Sequence, residues 1–591
     1  MVQLLASREL LESFLSGTRY GRISAIKFAA ASLMVIPCLV LARTVRYERT
    51  CLFTTLLFAT LTGLIGPLSG HAAGGEQSLW LMPLHMLHIC AVAAWLGGLP
   101  LWISLIRRIG RSPERQRCAY TARALERFSR LALLCMAAIV GSGVLLTLGF
   151  VETMGDLLGT PYGLLVCGKI ILLVGVLYIA NHARRHFLPV LAQGVEAGKI
   201  YPLAGRWVAS ELLLSTIILG FAGILSQTTP AIHDQPIWWL PFRISIDATW
   251  PVAPVPIIVS AASLVLSIAV AVLALRWRSL SLAAKRAGVI TSMVAAGILL
   301  RQISVQAYPD TYRRSVSPYL TVSIVQGKRH FEQYCTACHG SGGLGDGPLA
   351  NSLPKPPANL SEPHTALHTA GDMFWWLTEG IPEGGMPGFA RMIDEQARWD
   401  LINFLRAFSQ GFEARLIGSS IEPAQPWLGA PNFYFEAVDG EPRELKDFRG
   451  NSNVLLVFPG SSDIGLMTQR TRALADARNL LQSVRTEVLV VRSEPDVDLQ
   501  ADLIYVQTGA DEIREAYDLL SRTVFDRGDG RSLGMSRQHM EFLIDRFGYI
   551  RARWIADDQS EGWRSIERLR QEAVRLNEEP RIRPPPEDHV H

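Results

Sequence analysis

The chain has 591 residues, which is enough for about four domains of roughly 150 residues each. Hydrophobic residues make up 49% of the sequence, and the mean hydropathy of +0.21 is too high for a wholly soluble protein. The net charge of +4 is small and the arginines are spread among short loops, which excludes a nucleic-acid-binding surface. Part of the chain is therefore expected in a membrane, with lipid as a partner.

The first half of the chain contains eight apolar runs, each long enough to cross a bilayer as a helix of about 20 residues. Together they predict an eight-helix integral membrane bundle over residues 25–305, after an amino-terminal segment, 1–24. The eight predicted crossings are residues 25–43, 51–69, 80–106, 131–150, 162–182, 208–227, 254–275 and 286–302.

Positive charges alternate between the loops that join these runs. The loops after the first, third, fifth and seventh runs are rich in Arg and Lys, whereas those after the second and fourth have none and that after the sixth has only Arg243. The positive-inside rule then places the even-numbered loops, and everything after residue 302, outside the cytoplasm. The amino-terminal charges Arg8, Arg19, Arg22 and Lys27 disagree with this parity, so the side of the amino terminus stays open.

Four histidines lie at or near the predicted outer side of the bundle. His71 follows the second run, His85 and His88 lie one helical turn apart in the third, and His233 is in the loop after the sixth. Imidazole together with a thioether such as that of Met86 suits copper better than hard cations. The sequence therefore offers these histidines as candidate copper ligands, and the alternative for each is a hydrogen-bonded residue at the membrane interface.

Several separated motifs in this half resemble the copper-resistance D (CopD) family of membrane proteins. They are HICAVAAWLGGL at 88–99, RFSRLA at 127–132, GSG at 141–143 and TPYGLL at 160–165 leading to Lys169. The resemblance implies an eight-helix topology and copper movement across a bacterial inner membrane. It also implies His88 and His71 as the family's histidines, whereas His85 and His233 are inferred from position alone.

The stretch Tyr334-Cys335-Thr336-Ala337-Cys338-His339 predicts covalent attachment of one c-type haem. In Cys-x-x-Cys-His the two thiols hold the haem and the adjacent imidazole ligates its iron. The alternative, a zinc half-site or redox dithiol, lacks a second cysteine pair, because no cysteine follows Cys338. Haem attachment on the periplasmic side agrees with the orientation that the loop charges predict.

Residues 325–410, after a linker at 306–324, resemble an all-α class I cytochrome c. Gly327 and Phe331 lie four apart in the predicted first helix, and the predicted last helix covers 395–408. Between them the stretch GGMPGF at 384–389 offers Met386 as the distal iron ligand, the setting usual in that family. The competing side chains are His364, His368, Met373 and Met392.

Residues 423–578 alternate predicted strands and helices, and they resemble the α/β thioredoxin-like fold of peroxiredoxins. Where that family places its nucleophilic cysteine, this chain reads Pro459-Gly460-Ser461-Ser462-Asp463. Because thiolate chemistry needs a thiol, the domain is predicted to be catalytically inactive, a docking or stabilising module. A flexible tail, 579–591, is expected to follow.

The predicted protein is thus a copper transporter and electron carrier rather than an enzyme, multi-pass in the inner membrane, with both carboxy-terminal domains periplasmic. Its expected partners are copper ions and a periplasmic copper chaperone or redox partner protein. A second hypothesis is a respiratory module that binds haem b and passes quinol electrons to the c haem. Its candidate ligands would be His85, His88, His182 and His186. A third is a membrane-anchored cytochrome c.

Overall fold

The computed structural model separates into two compact units, residues 1–237 and residues 238–591. The residues that it describes are 17–44, 46–65, 68, 78–111, 115–187, 197–277, 279–422, 425–436, 441–460, 464–493, 503–522, 538–555 and 562–580.

The first unit is built of helices. They are α1 (Arg19–Leu33), α2 (Val35–Arg43), α3 (Glu48–Ile65), α4 (Ser78–Arg111), α5 (Arg115–Phe150), α6 (Met154–Gly159), α7 (Pro161–His182) and α8 (Ala197–Leu225), with a π-helical turn Ala183–Phe187 and a 3-10 turn Ala231–His233. Local sequence explains the start of α7, because the Thr160 side chain accepts a hydrogen bond from Gly163 N and Pro161 occupies the first turn.

Seven helical segments of the described residues are long and apolar enough to cross a membrane. They are Gly21–Val40, Trp80–Arg108, Arg123–Phe150, Pro161–Phe187, Pro202–Leu225, Pro254–Arg276 and Leu282–Gln302. Each corresponds to a predicted crossing. The remaining predicted crossing, 51–69, falls on α3, which has 18 residues and begins with Glu48 and Arg49. Part of that run lies outside the described residues, so the eighth crossing stays a prediction.

The observed helices extend further than the apolar runs. The fourth predicted crossing starts at residue 131, whereas α5 begins at Arg115 and its candidate span at Arg123. Charged residues continue the helix because Arg and Glu are good helix formers and pair one turn apart, as Arg130 Nη2 and Glu126 Oε1 do at 2.6 Å. Apolar runs therefore predict the crossings better than they predict the ends of the helices.

Helices α4, α5, α7 and α8 pack around an apolar cluster, with α4 contacting α5 and α8, and α7 contacting α8. Its buried members are Ala91, Trp95, Leu99, Cys135, Ile139 and Val176. Large apolar side chains elsewhere on these helices are exposed, including Leu134 at 70% and Ile171 at 71%. Exposed apolar surface of this kind suits helices surrounded by lipid.

The second unit begins with a strand and two long helices. Strand β1 (Phe242–Ile244) pairs antiparallel with β2 (Ser304–Gln306), on either side of α9 (Ile246–Thr249), α10 (Pro254–Arg276) and α11 (Leu282–Gln302). Helices α10 and α11 pack against each other, and Gly288 lies against Ala271 where they touch. This pair supplies the last two candidate membrane crossings.

The predicted haem domain is all-α, as expected. Its helices are α12 (Thr321–Tyr334), α13 (Thr336–His339), α14 (His364–Leu367), α15 (Ala370–Glu379) and α16 (Glu395–Ala414). Helices α12 and α16 cross at Gly327, where an added Cβ would lie 2.0 Å from the Asp400 carbonyl oxygen. Phe331 and Phe404, both fully buried, pack beside this crossing at 5.2 Å between ring centroids.

The carboxy-terminal domain contains a six-stranded mixed sheet with the order β3-β10-β9-β6-β7-β8. Its elements are β3 (Leu428–Gly429), β6 (Asn453–Phe458), α17 (Ile464–Asp476), α18 (Arg478–Ser483), β7 (Thr486–Val491), β8 (Ile504–Val506), α19 (Ala510–Asp518), β9 (Met540–Ile544), β10 (Tyr549–Ile555) and α20 (Ile566–Glu578), with a separate pair β4 (Tyr434–Glu436) and β5 (Pro442–Glu444). Strands β6, β7 and β8 are parallel, and β9 and β10 form an antiparallel hairpin. A parallel β-α-β unit followed by a hairpin and a final helix is the thioredoxin-like arrangement, which confirms the predicted fold class.

The haem domain and the thioredoxin-like domain share one core. Ala516 and Leu519, from α19 and the turn after it, belong to the same buried cluster as Phe331 and Trp399. An added Cβ on Gly411 would lie 2.2 Å from the Leu519 carbonyl oxygen, so the two backbones nearly touch there. The thioredoxin-like domain is therefore packed against the haem domain rather than tethered to it by a linker.

Candidate haem site and membrane histidines

The Cys-x-x-Cys-His motif occupies one helical turn. Cys335 ends α12, and its carbonyl accepts hydrogen bonds from Cys338 N at 3.2 Å and His339 N at 2.8 Å. The two cysteines are thus held three residues apart along a turn, with the histidine directly after them. This is the local geometry that two thioether links and a proximal ligand require.

The imidazole of His339 has its ring orientation fixed. Its Nδ1 lies 3.0 Å from the Ala358 carbonyl oxygen, which can only accept, so Nδ1 carries the proton and Nε2 is left with its lone pair. Burial lowers the pKa of His339, and the hydrogen bond to Ala358 opposes that shift. A neutral ring with a free Nε2 is the state that binds iron.

A glycine-rich loop brings Ala358 beneath this ring. Gly340 has φ +73°, and Gly347 has its Cα so close to α13 that an added Cβ would lie 2.6 Å from the Ala337 carbonyl oxygen. Backbone hydrogen bonds from Gly347 N to Cys338 O and from Leu349 N to Ala337 O close the loop on the motif. The residues present therefore fit a c-type haem.

The predicted distal ligand lies on a closed loop. Ile381 and Met386 exchange two backbone hydrogen bonds, of 2.9 and 3.2 Å, around the 3-10 turn Pro382–Gly384. Gly385 takes the left-handed conformation that this turn needs, at φ +82°. Met386 is half-buried and packs on the same apolar cluster as Cys335.

The competing side chains are placed less favourably for a ligand role. Met373 is buried in the core at 4% exposure, and Met392 is exposed at 53%. The His368 ring packs edge-on against Trp376 at 4.7 Å between centroids, and His364 is exposed. Met386 stays the predicted ligand.

The Cys335 thiol does not have the character of a redox-active thiol. Burial, with a smaller contribution from Cys338, raises the pKa of the Cys335 thiol to about 12. Thiol exchange through Cys335 would need its thiolate at neutral pH, which burial opposes. The cysteine pair therefore favours haem attachment over thiol exchange.

In the membrane unit, His88 is hydrogen-bonded in a way that also fixes its tautomer. Its Nδ1 lies 2.9 Å from Ser142 Oγ, and the Ser142 hydroxyl donates to the Ala138 carbonyl oxygen at 2.5 Å. Because the hydroxyl proton is already used, Nδ1 donates to Ser142 and Nε2 keeps its lone pair. His88 is therefore prepared to bind a metal through Nε2.

The other predicted copper ligands are placed less completely. His85 has a buried Nδ1 without a hydrogen-bond partner among the described residues, and His233 closes the 3-10 turn after α8. His71 lies outside the described residues. Within the described part of the chain, no three His, Cys, Asp or Glu side chains gather as a metal site. The four-histidine copper site stays a prediction.

Two family models match the chain. Residues 122–225 match Copper resistance protein D, and residues 324–409 match Cytochrome c. The chain carries a CopD region and a cytochrome c domain. The CopD match begins after His85 and His88, so it covers neither.

Similar proteins agree with this assignment. The Copper transport protein CutJ of Bacillus subtilis (strain 168) is 28% identical over 210 residues, which are 35% of this chain and 37% of CutJ. The chain thus spans little more than a third of that relative's length.

Solved structures similar to this chain include thioredoxin peroxidase I of Plasmodium yoelii, with 20% identity and a TM-score of 0.20, covering 26% of this chain and 90% of that one. Another is BsSco, a member of the Sco family of cytochrome c oxidase assembly proteins, with 13% identity and a TM-score of 0.19, covering 26% and 96%.

The four histidines of the haem b hypothesis are not arranged in a way that favours binding of haem b. His182 stacks on Trp207 at 4.4 Å between ring centroids, and His186 lies 4.4 Å from His182. These two rings pack with each other at the carboxyl end of α7, and His182 also packs with Trp207, whereas His88 bonds to α5.

Two functional candidates escaped the sequence reasoning. Glu211 is 6% exposed in α8 and accepts a hydrogen bond from Trp95 Nε1 of α4 at 3.2 Å. Its signal was available, because it is the sole acidic residue of the apolar run 208–227. The second candidate is Asp372 of the cytochrome c domain, which accepts from Thr311 Oγ1 at 2.5 Å and pairs with Arg243 of β1 at 3.5 Å.

The thioredoxin-like domain contains a buried ion cluster. Glu541 is fully buried and binds Arg470 through two hydrogen bonds of 2.8 Å, His539 at 2.8 Å and Trp563 at 2.5 Å. Burial raises the pKa of Glu541, but the charge and hydrogen bonds of Arg470 and His539 outweigh it and lower that pKa to about 2. The predicted nucleophile position, 461–463, lies outside the described residues.

Proposed function

We propose that this chain moves copper across the bacterial inner membrane and exchanges electrons with it through the c-type haem on the periplasmic side. The observation that carries the proposal is the presence, in one chain, of a CopD region and a cytochrome c domain. The similarity to the Copper transport protein CutJ supports copper as the cargo. The loop charges support the orientation.

The haem supplies one-electron transfer when it is bound. Cys335 and Cys338 would attach it, and His339 and Met386 would hold the iron. The hydrogen bond from His339 Nδ1 to Ala358 keeps that ring in the ligating tautomer. A thioether and an imidazole as the iron ligands would raise the reduction potential relative to two imidazoles, which suits acceptance of electrons from a mid-potential donor.

Copper would enter at the outer end of the bundle. His88 offers Nε2 from a ring held by Ser142, and His85 lies one turn away on the same helix. His71 and His233 complete the proposed ligand set. Cu(I) and Cu(II) prefer different ligands and geometries, so a one-electron transfer at this site would load or release the ion.

The proposed partners act on the same side. A periplasmic copper chaperone would deliver or accept the ion, or a redox protein would take the electron. The thioredoxin-like domain packs on the cytochrome c domain through Ala516 and Leu519. It would act there as a stabilising or docking module, since the chain has no cysteine after Cys338.

Metal analysis and a reduced-minus-oxidised spectrum of the purified full chain test this proposal, followed by copper uptake into vesicles that contain it. We expect one c-type haem per chain, bound copper, and uptake above that of empty vesicles. A b-type haem without copper would instead support the quinol module. A c-type haem alone, without copper binding or uptake, would leave a membrane-anchored cytochrome.

A further inference from the structure

The buried carboxyl of Glu211 is a titratable group in the membrane unit that copper binding at the histidines does not use. It lies within the candidate span Pro202–Leu225 and is 6% exposed. Ionisable residues at such depth are rare, and they mark pathways for ions or protons.

The surroundings of Glu211 do not neutralise a negative charge. Its carboxyl accepts one hydrogen bond, from Trp95 Nε1, and among the described residues it makes no ion pair. Trp95 itself belongs to a buried apolar cluster that includes Leu99 from α4 and Val176 from α7. An ionised carboxylate here would be desolvated and unpaired, so the stable resting form carries a proton.

The same cluster provides soft donors. The buried Cys135 thiol belongs to it, and Met136 packs against it, both from α5. Sulfur donors suit copper, particularly Cu(I). Both side chains share this cluster with Trp95, whose indole holds the Glu211 carboxyl, so this is a place where a soft cation could replace a proton.

Helix α4 connects this place to the predicted outer site. Trp95 follows His88 by seven residues, which places both on one face of α4, two turns or about 10 Å apart. His88 bonds to Ser142 of α5, and Trp95 bonds to Glu211 of α8. One face of α4 thus carries two successive polar hydrogen-bonded pairs between the packed helices.

The charged and titratable groups near this face come from each packed helix. Helix α4 contributes His85 and His88, and α5 contributes the Cys135 thiol. Helix α7 contributes Lys169, whose positive charge acts on both histidines. The positive charge of Lys169 would repel a cation near these histidines, and a carboxylate two turns further along α4 would oppose that repulsion.

We propose that Glu211 forms a second binding position for copper. Its carboxyl holds a proton in the resting state and releases that proton when the ion arrives from His88. This rests on the proposed transport function. In the exchange the carboxyl O–H bond breaks, the carboxylate balances the copper charge, and the proton passes to water. Copper keeps its oxidation state in this step.

The test is an infrared difference spectrum of the full chain on addition of Cu(I), with the haem kept reduced so that no electron moves. We expect loss of a protonated-carboxyl band and release of about one proton per copper in the unaltered protein. Glu211→Gln, which keeps an acceptor for Trp95, should remove the band change and reduce proton release by about one. Glu126→Gln, which alters an exposed acid of α5, is the matched control and should change neither.

A second variant protects the assignment if Glu211→Gln does not fold. Trp95→Phe keeps the aromatic ring but removes the hydrogen-bond donor, so the carboxyl band should shift before copper is added. Copper binding without any carboxyl change, or the same change in Glu211→Gln, would overturn the proposal while leaving copper transport intact. Absence of copper binding by the unaltered protein would overturn both.

Discussion

At the scale of single residues, two imidazoles are prepared for metals in the same way. His339 donates from Nδ1 to the Ala358 carbonyl, and His88 donates from Nδ1 to the Ser142 hydroxyl. In both rings the outer hydrogen bond fixes the tautomer and leaves Nε2 free. The proposed ligand role of each ring therefore depends on a neighbour that would not itself touch the metal.

The distal iron ligand is tested by replacing Met386 with His. The variant should have a lower reduction potential and should lack the sulfur-to-iron charge-transfer band of the oxidised protein, because the thioether is gone. Met392→His is the matched control, since Met392 is exposed at 53%. Potentiometry and absorption spectra are the measurements. A band retained in the Met386 variant would place the ligand elsewhere.

The role of Ser142 is tested by Ser142→Ala. Loss of the hydrogen bond to His88 should weaken copper binding about 10- to 100-fold, the usual effect of removing an outer partner of a metal ligand. Ser263→Ala is the control, because that exposed hydroxyl only bonds the Val259 carbonyl of its own helix, α10. Copper affinity of the full chain is measured by competition with a chelator. Equal losses in both variants would argue against a ligand role for His88.

At the scale of elements, contacts within one helix pattern could be predicted from the sequence, whereas contacts between distant elements could not. The crossing of α12 and α16 was predictable, because Gly327 and Phe331 lie four residues apart on α12, a spacing typical of this helix crossing. The cluster of Arg470 and Glu541 was not, since those residues are 71 positions apart and meet only in the folded sheet. The core that Leu519 shares with the cytochrome c domain could not be predicted either. The apolar spacing on α19 does not show which domain this helix packs against.

The helix crossing in the cytochrome c domain is tested by Gly327→Ala. Its Cβ would lie 2.0 Å from the Asp400 carbonyl oxygen, so the helices must separate, at a cost of about 1–3 kcal/mol or more. Gly418→Ala, with nothing within 4 Å of its Cβ, should change stability by less than about 0.5 kcal/mol. Urea unfolding followed by haem absorbance distinguishes them. Similar midpoints would show that the close approach is not needed.

The buried Glu541 should make the thioredoxin-like domain sensitive to acid. Its folded-state pKa of about 2 lies below the ordinary 4.5, so its contribution is present above pH 4.5 and is lost as the pH falls towards 2. That difference corresponds to roughly 3 kcal/mol. Chemical unfolding followed by tryptophan fluorescence, from about pH 5 to about pH 3, should show this loss in the unaltered chain. A variant with Glu541→Leu and Arg470→Met removes both charges and should show a weaker pH dependence; an unchanged slope would contradict the assignment.

At the scale of the whole molecule, the chain joins three kinds of structure into two compact units. The second unit contains the last helix pair, the cytochrome c domain and the thioredoxin-like domain. Arg243 of β1 pairs with Asp372 of the cytochrome c domain, and Leu519 is buried against the same domain. The cytochrome c domain thus contacts both the part of its unit that precedes it and the part that follows it.

The thioredoxin-like domain should have no thiol-dependent peroxidase or disulfide-reductase activity, because residues 339–591 contain no cysteine. Peroxide consumption by the full chain with a thiol donor is the assay, compared with and without prior alkylation of its other cysteines. Turnover that survives alkylation would contradict an inactive domain.

Leu519→Asp, which places a charge in the core shared by the two domains, should lower the unfolding midpoint of the cytochrome c domain.

The central claim, that copper and the c-type haem exchange electrons in one protein, is tested most directly by anaerobic rapid mixing of the oxidised full chain with Cu(I). We predict that haem absorbance changes to the reduced form, with about one haem reduced per copper oxidised, and that His71→Ala combined with His88→Ala slows this reduction strongly while haem content stays normal. Reduction at the same rate in the double variant would remove the histidine site from the pathway. Absence of reduction in the unaltered protein would contradict the coupling of copper to haem.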